Sequence, residues 1–70
     1  MTFTAAEIED ARRNPVIGDV WRRGSMIREV YTTRPKDLTL MTPKRGAGGV
    51  WSYESFETWT LNATLVRRGA

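Results

Sequence analysis

The segment that most constrains the fold of this chain is VWSYESFETW, residues 50–59. It holds four of the seven aromatic residues, and in a chain of 70 residues a few large rings must supply much of the core. A glycine-rich loop, residues 46–49, precedes it. The pattern predicts a strand that turns near Glu54 into a short helix, with Phe56 and Trp59 on one face of that helix.

Two patterns compete for the residues that follow this strand. An alternation of apolar and polar residues, typical of a strand, runs through Trp59, Leu61, Ala63 and Leu65. Helical spacing instead links Phe56, Trp59 and Ala63, with Ser55 as a candidate N-cap. We predict a helix over residues 55–62, followed by a last strand over residues 63–67.

The N-terminal residues predict a helix over residues 5–13. Thr4 and Glu7 have the spacing of a capping box, and Pro15 cannot continue a helix. Few apolar residues line one face of this segment, so the helix is stable only if it docks on the rest of the chain.

The middle of the chain predicts four short strands. They cover residues 19–22, 26–33, 38–42 and 50–53. The first turn contains Gly24, which can adopt a positive φ, and the second contains Pro35. Strands at this spacing are typical of a small barrel or a strongly bent sheet.

We therefore predict one mainly β (α+β) domain over residues 1–70. It consists of a small SH3-like barrel or bent antiparallel sheet over residues 18–67, with an N-terminal helix and a short helix before the last strand. The predicted centre of the core is Trp21, Leu40, Phe56 and Trp59. Arg67 and Arg68 are predicted to belong to a solvated tail.

A longer pattern runs from Gly18 to Val66. It consists of GDVWR at residues 18–22, TP at residues 42–43 and FxxWxxxAxLV at residues 56–66. This pattern resembles small uncharacterised proteins of bacteriophages and prophages. The resemblance implies a phage setting and an SH3-like fold, and it implies no catalytic residues.

The composition limits where such a chain works. There is no Cys, which excludes disulfides and thiolate metal sites and fits a cytosolic protein. The first residues lack the basic start and apolar run of a signal peptide. Because no apolar segment approaches the roughly 20 residues of a membrane span, we expect no membrane partner and a location in the cytoplasm of a bacterial host.

Charge is distributed unevenly along the chain. Residues 1–11 carry three acids and no base, whereas residues 12–70 carry eleven bases and five acids, a net charge of +6. An excess of this kind favours an acidic partner such as nucleic acid. Solubility alone is the competing explanation.

Few residues in the sequence are suited to catalysis. There is no His, the commonest general base near neutral pH, and the serines have no base to activate them. Glu54 and Glu57 lie one helical turn apart, but negative charge near a helix start explains both. The loop over residues 46–49 lacks the lysine of a phosphate-binding loop. We predict no enzyme activity, cofactor or metal.

The basic residues cluster at the predicted turns. They are Arg22, Arg23, Arg34, Lys36, Lys44 and Arg45. If these turns lie on one side of the sheet, the six side chains form one patch that contacts phosphates. Trp51 and Tyr53 lie beside it and are suited to stacking on bases. For the two bases at any one turn, the exposure of turns to solvent is a sufficient explanation of their charge.

Two functions remain open. One is nucleic-acid binding through the basic turns, with Trp51 and Tyr53 in support. The other is a protein-interaction module that binds or inhibits a host protein. The first requires a contiguous basic face, and the second an apolar patch with little basic clustering.

Overall fold

The computed structural model describes residues 2–34, 37–42 and 48–69. The elements are α1 (Ala5–Arg13), β1 (Val20–Arg23), β2 (Met26–Arg34), β3 (Asp37–Met41), β4 (Gly48–Ser52), α2 (Tyr53–Thr60) and β5 (Thr64–Arg67). The five strands form one antiparallel sheet in the order β4-β3-β2-β1-β5. This arrangement confirms the predicted mainly β fold. Within the described residues β4 and β5 are edge strands, so the sheet is open.

Two irregularities interrupt the regular pairing of the strands. The β1–β5 register shifts between Val20 and Trp21, and the β2–β3 register shifts between Val30 and Thr32. Bulges of this kind bend a strand and increase its twist.

Helix α1 occupies the predicted residues 5–13, and its capping box is present. Thr4 Oγ1 accepts from the Glu7 amide at 3.1 Å, and Glu7 Oε1 accepts from the Thr4 amide at 2.9 Å. The helix docks through Ala11, which is fully buried, while Phe3 and Ile8 pack against the edge of the core. The burial of Ala11 agrees with the prediction that this helix depends on docking.

Helix α2 confirms the helical alternative for the aromatic segment but begins two residues earlier than predicted. Its N-cap is Ser52, whose Oγ accepts from the Ser55 amide at 3.1 Å. The prediction of Ser55 as the cap is therefore wrong. Both serines have suitable chemistry, but Ser52 is the one held in extended conformation at the end of β4.

The predicted core is confirmed: Trp21, Leu40, Phe56 and Trp59 are all buried. The Trp21 and Phe56 rings meet edge to face, with centroids 6.0 Å apart. Val30, Leu38 and Leu65 complete the same cluster from three strands. One core thus joins the sheet to both helices.

The two helices also meet through a polar contact that the sequence did not indicate. Arg12, in the last turn of α1, donates from Nε to Thr60 Oγ1 and from Nη2 to the Thr60 carbonyl, both at 3.1 Å. Thr60 is fully buried at the end of α2. A cation at this position satisfies carbonyl groups that the helix itself leaves free.

The prediction that Arg68 belongs to a solvated tail is wrong. Its guanidinium pairs with Asp19 and, at 3.7 Å, with Asp10, and it also donates to the Asn14 carbonyl. Arg67 remains largely exposed, although its side chain donates to the Gly18 carbonyl. Arg67 and Arg68 therefore bind to the segment that joins α1 to β1.

Candidate functional site

The hairpin between β1 and β2 carries two of the predicted binding residues. Arg22 and Arg23 end β1 and pair with Ile27 and Met26 across a tight turn, in which Gly24 has φ of 63°. Both arginines are exposed. Within the described parts of the chain neither side chain has a hydrogen bond or an ion pair, so both guanidiniums are available to a ligand.

Arg34 does not lie with these two arginines. It ends β2 and pairs with Asp37, whereas Arg23 pairs with the first residue of β2. Eight steps along an extended strand span roughly 26 Å. The prediction that all the basic turns form one patch is therefore wrong, because successive hairpins of an antiparallel meander turn at opposite ends of their shared strand.

The other predicted basic residues, Lys36, Lys44 and Arg45, lie outside the described residues. The described residues on either side of the last two are Thr42 and Gly48. Thr42 accepts a hydrogen bond from Arg28 in the first half of β2, at 3.3 Å.

Arg28 is a basic residue that the sequence analysis missed. It pairs with Trp21 in the register of β1 and β2 and also donates to the carbonyl of Ile27 at 2.8 Å. It is only partly exposed. The predicted binding residues were the bases at turns, and Arg28 lies inside a predicted strand.

A shallow cleft lies next to the β1–β2 hairpin. Its volume is about 360 Å³, and its lining residues are Arg23, Trp51, Glu54, Ser55, Thr58 and Trp59. We call it the Trp51 cleft. β1 and β4 are separated by two strands in the sheet, yet Arg23 and Trp51 line the same cleft.

The two indole rings give the cleft an aromatic wall. Trp51 and Trp59 meet edge to face, with centroids 5.7 Å apart and planes at 86°. Trp59 belongs to the core, whereas Trp51 is only partly buried. Tyr53 is also partly buried and packs against the core, but it does not line this cleft. Of the two predicted stacking residues, the structure therefore brings only Trp51 to the hairpin.

Helix α2 supplies the polar wall of the cleft. The Thr58 hydroxyl donates to the Glu54 carbonyl at 3.0 Å, and the Ser52 hydroxyl donates to Ser55 Oγ at 3.1 Å. Within the described chain the Glu54 carboxylate forms no ion pair, with Arg23 or with any other residue.

Most other described arginines are engaged in the fold. Arg12 bonds to Thr60, Arg13 to Glu9, Arg67 to Glu29 and Arg68 to Asp19. Among residues 2–34, 37–42 and 48–69, the arginines without such a contact are Arg22, Arg23 and Arg34. Much of the positive charge in the described residues therefore serves structure, and the unpaired arginine among them that lines the Trp51 cleft, Arg23, belongs to the hairpin.

The described residues contain no group of three or more His, Cys, Asp or Glu side chains placed to hold a metal ion. Neither α1 nor α2 has the length and apolar character needed to cross a membrane. The chemistry at the Trp51 cleft is an exposed cation, an aromatic wall and a few hydroxyl and carboxylate groups, which suits the binding of a ligand.

No family model, curated protein or solved structure matches this chain.

Proposed function

We propose that this protein is a non-catalytic binding module that binds nucleic acid through the β1–β2 hairpin and the Trp51 cleft. The observation that carries the proposal is that Arg23 lines the same cleft as Trp51 and Trp59. A cation beside an aromatic wall provides both elements of nucleic-acid binding, a phosphate contact and a stacking surface.

The state of the hairpin arginines supports the same function. Arg22 and Arg23 are neighbours in sequence, exposed, and without an internal partner in the described chain. Guanidinium groups bind phosphate oxygens in bidentate geometry and are less strongly hydrated than ammonium groups. Forming a phosphate contact here breaks no hydrogen bond or ion pair among the described residues.

The proposal extends to the setting of the protein. We propose a phage-encoded protein acting in the cytoplasm of a bacterial host, on the basis of the sequence pattern that begins at Gly18 and the absence of Cys. The excess of bases over acids in residues 12–70 is compatible with a nucleic-acid partner there.

A specific observation favours a second candidate function, binding to a host protein. Several large apolar side chains are exposed on the sheet, among them Val50 at 66% and Tyr31 at 58%. Val50 lies on β4, an edge strand of the described sheet. Exposed apolar side chains and a free strand edge are both features of protein-binding surfaces.

A titration of labelled oligonucleotides tests the first function. The wild type is compared with the Arg22→Ala/Arg23→Ala double variant on single-stranded and duplex oligonucleotides at low and moderate salt. Arg34→Ala is the matched control, because it removes an exposed arginine at the other end of β2. We expect the double variant to bind much more weakly and the control to bind nearly as the wild type does.

Two results would contradict the proposal. One is the absence of binding to any oligonucleotide at low salt. The other is an equal loss of affinity in the double variant and in Arg34→Ala when each is corrected for the number of charges removed. Without any oligonucleotide binding, a host-protein partner becomes the better hypothesis, and Val50→Asp is then the variant expected to abolish its capture. An equal loss per charge would instead mean that nucleic acid binds without a specific contact from the hairpin.

A further inference from the structure

We infer that the Trp51 cleft holds one unpaired nucleobase, so that the ligand is single-stranded nucleic acid whose backbone passes over Arg23. This inference rests on the proposed function and deepens it by naming the part of the nucleic acid that the cleft receives. It follows from the shape of the cleft, its aromatic wall and the arrangement of its charges.

The size and shape of the cleft favour a single flat ring. Its volume of about 360 Å³ lies near the lower end of the roughly 300–1,000 Å³ range for small-molecule sites. The edge-to-face contact with Trp59 fixes the plane of Trp51, whose ring remains partly exposed. A ring held in this way is a prepared stacking surface, and stacking on it accepts any base because every base has a π face.

A duplex does not offer such a ligand. Its bases are paired and stacked on one another, and placing one in a side cleft requires unstacking and unpairing it. A single strand has unstacked bases that can be turned outward onto aromatic side chains. The Trp51 cleft therefore selects single strands over duplexes, whereas contacts from Arg22 and Arg23 alone do not.

The charges of the cleft orient the nucleotide. Arg23 attracts a phosphate and Glu54 repels one, and the two side chains do not neutralise each other by an ion pair within the described chain. The phosphate therefore lies toward Arg23, and the edge of the base toward α2.

The edge of the base then meets groups with a defined preference. The Glu54 carboxylate only accepts hydrogen bonds, so it favours a base that carries an exocyclic amino group, as cytosine, adenine and guanine do. Thymine and uracil offer no such donor at the same position. The cleft should therefore prefer cytosine and adenine over thymine and uracil.

The test uses fluorescence anisotropy with the full chain and four short single strands: oligo-dC, oligo-dA, oligo-dT and an abasic strand of equal length. Oligoribonucleotides of C, A and U are titrated in parallel to compare the two backbones. We expect dC and dA to bind more tightly than dT, and the abasic strand to bind about tenfold more weakly than dC, the scale of one stacked base.

Variants assign these effects to the cleft. Trp51→Ala should reduce the affinity for dC to that for the abasic strand, and Trp51→Phe, which keeps a ring, should retain most of it. Glu54→Ala should bring the affinities for dC and dT together. Val50→Ala is the matched control, because Val50 precedes Trp51 on β4 and is exposed without lining the cleft. Circular dichroism establishes that each variant is folded.

The outcomes separate this inference from the function on which it rests. Equal binding of the abasic strand and oligo-dC, or duplex binding as tight as single-strand binding, overturns the inference and leaves nucleic-acid binding through the β1–β2 hairpin standing. Neither comparison depends on a variant, so both remain decisive if Trp51→Ala fails to fold. If no nucleic acid binds, both ideas are wrong.

Discussion

Arg68 Nη1 lies 2.7 Å from Asp19 Oδ2, and this ion pair joins two residues 49 positions apart in the chain. The Asp19 side chain is fully buried. Its oxygens also accept from the amides of Gly69 and Val16, at 2.7 and 2.8 Å. A buried carboxylate needs such partners because it has left water. The end of the chain is thereby fixed to the turn that precedes β1.

Removing Arg68 should destabilise the protein far more than removing an arginine on the surface. Arg68→Ala leaves the buried Asp19 carboxylate with two amide donors and no cation, and we expect it to lower the free energy of unfolding by about 2 kcal/mol or more. Urea denaturation followed by tryptophan fluorescence measures the loss.

Arg13→Ala is the control for the previous prediction. The Arg13–Glu9 pair also has an N–O distance of 2.7 Å, but its side chains are 73% and 55% exposed. A pair this exposed contributes about 0.3–0.5 kcal/mol. Equal losses in the two variants would show that the buried carboxylate does not depend on Arg68.

The second prediction concerns Gly69, which follows Arg68 in the same segment. A Cβ at this position would overlap the carbonyl oxygen of Ile17, so Gly69→Ala must displace the backbone that donates to Asp19. We expect a clear fall in melting temperature. Gly49→Ala is the matched variant, because a Cβ there meets nothing within 4 Å. An unchanged melting temperature for Gly69→Ala would contradict the close packing of these two segments.

Sequence reasoning succeeded where the determining signals are local. The bounds of α1 follow from a capping box four residues long and a proline, and both act on their immediate neighbours. The helix at the aromatic segment was also predicted. Its start was misplaced by two residues, because Ser52 and Ser55 have equal capping chemistry, and only the end of β4 selects between them.

Sequence reasoning failed where partners lie far apart in the chain. Nothing near Asp19 shows that its carboxylate meets Arg68 and Gly69, since that contact exists only after β5 has paired with β1. Arg34 was wrongly grouped with Arg22 and Arg23 for a different reason. The composition identified a basic turn after β2. The end of the sheet at which this turn lies depends on how the strands pair, and that pairing places Arg34 and Arg23 at opposite ends of β2.

The third prediction concerns Trp59 in the core. This side chain is buried between α2 and the sheet and contacts Trp51 edge to face. Trp59→Ala should lower the free energy of unfolding by about 3–5 kcal/mol, enough to unfold a domain of marginal stability. Leu61→Ala is the control, two residues away and 66% exposed, and should cost less than about 0.5 kcal/mol. A folded Trp59→Ala variant with a small shift in melting temperature would refute this packing scheme.

The last prediction concerns the salt dependence of nucleic-acid binding. If Arg22 and Arg23 each contact one phosphate, the logarithm of the affinity falls linearly with the logarithm of the salt concentration, because each contact releases a counterion. Replacing both arginines by Ala should make that slope shallower by about 1.4 on a single strand and about 1.8 on duplex DNA. Trp51→Ala should lower the affinity at every salt concentration and leave the slope unchanged, because stacking releases no counterion. A slope that changes in Trp51→Ala but not in the double arginine variant would mean that the hairpin does not contact the phosphates.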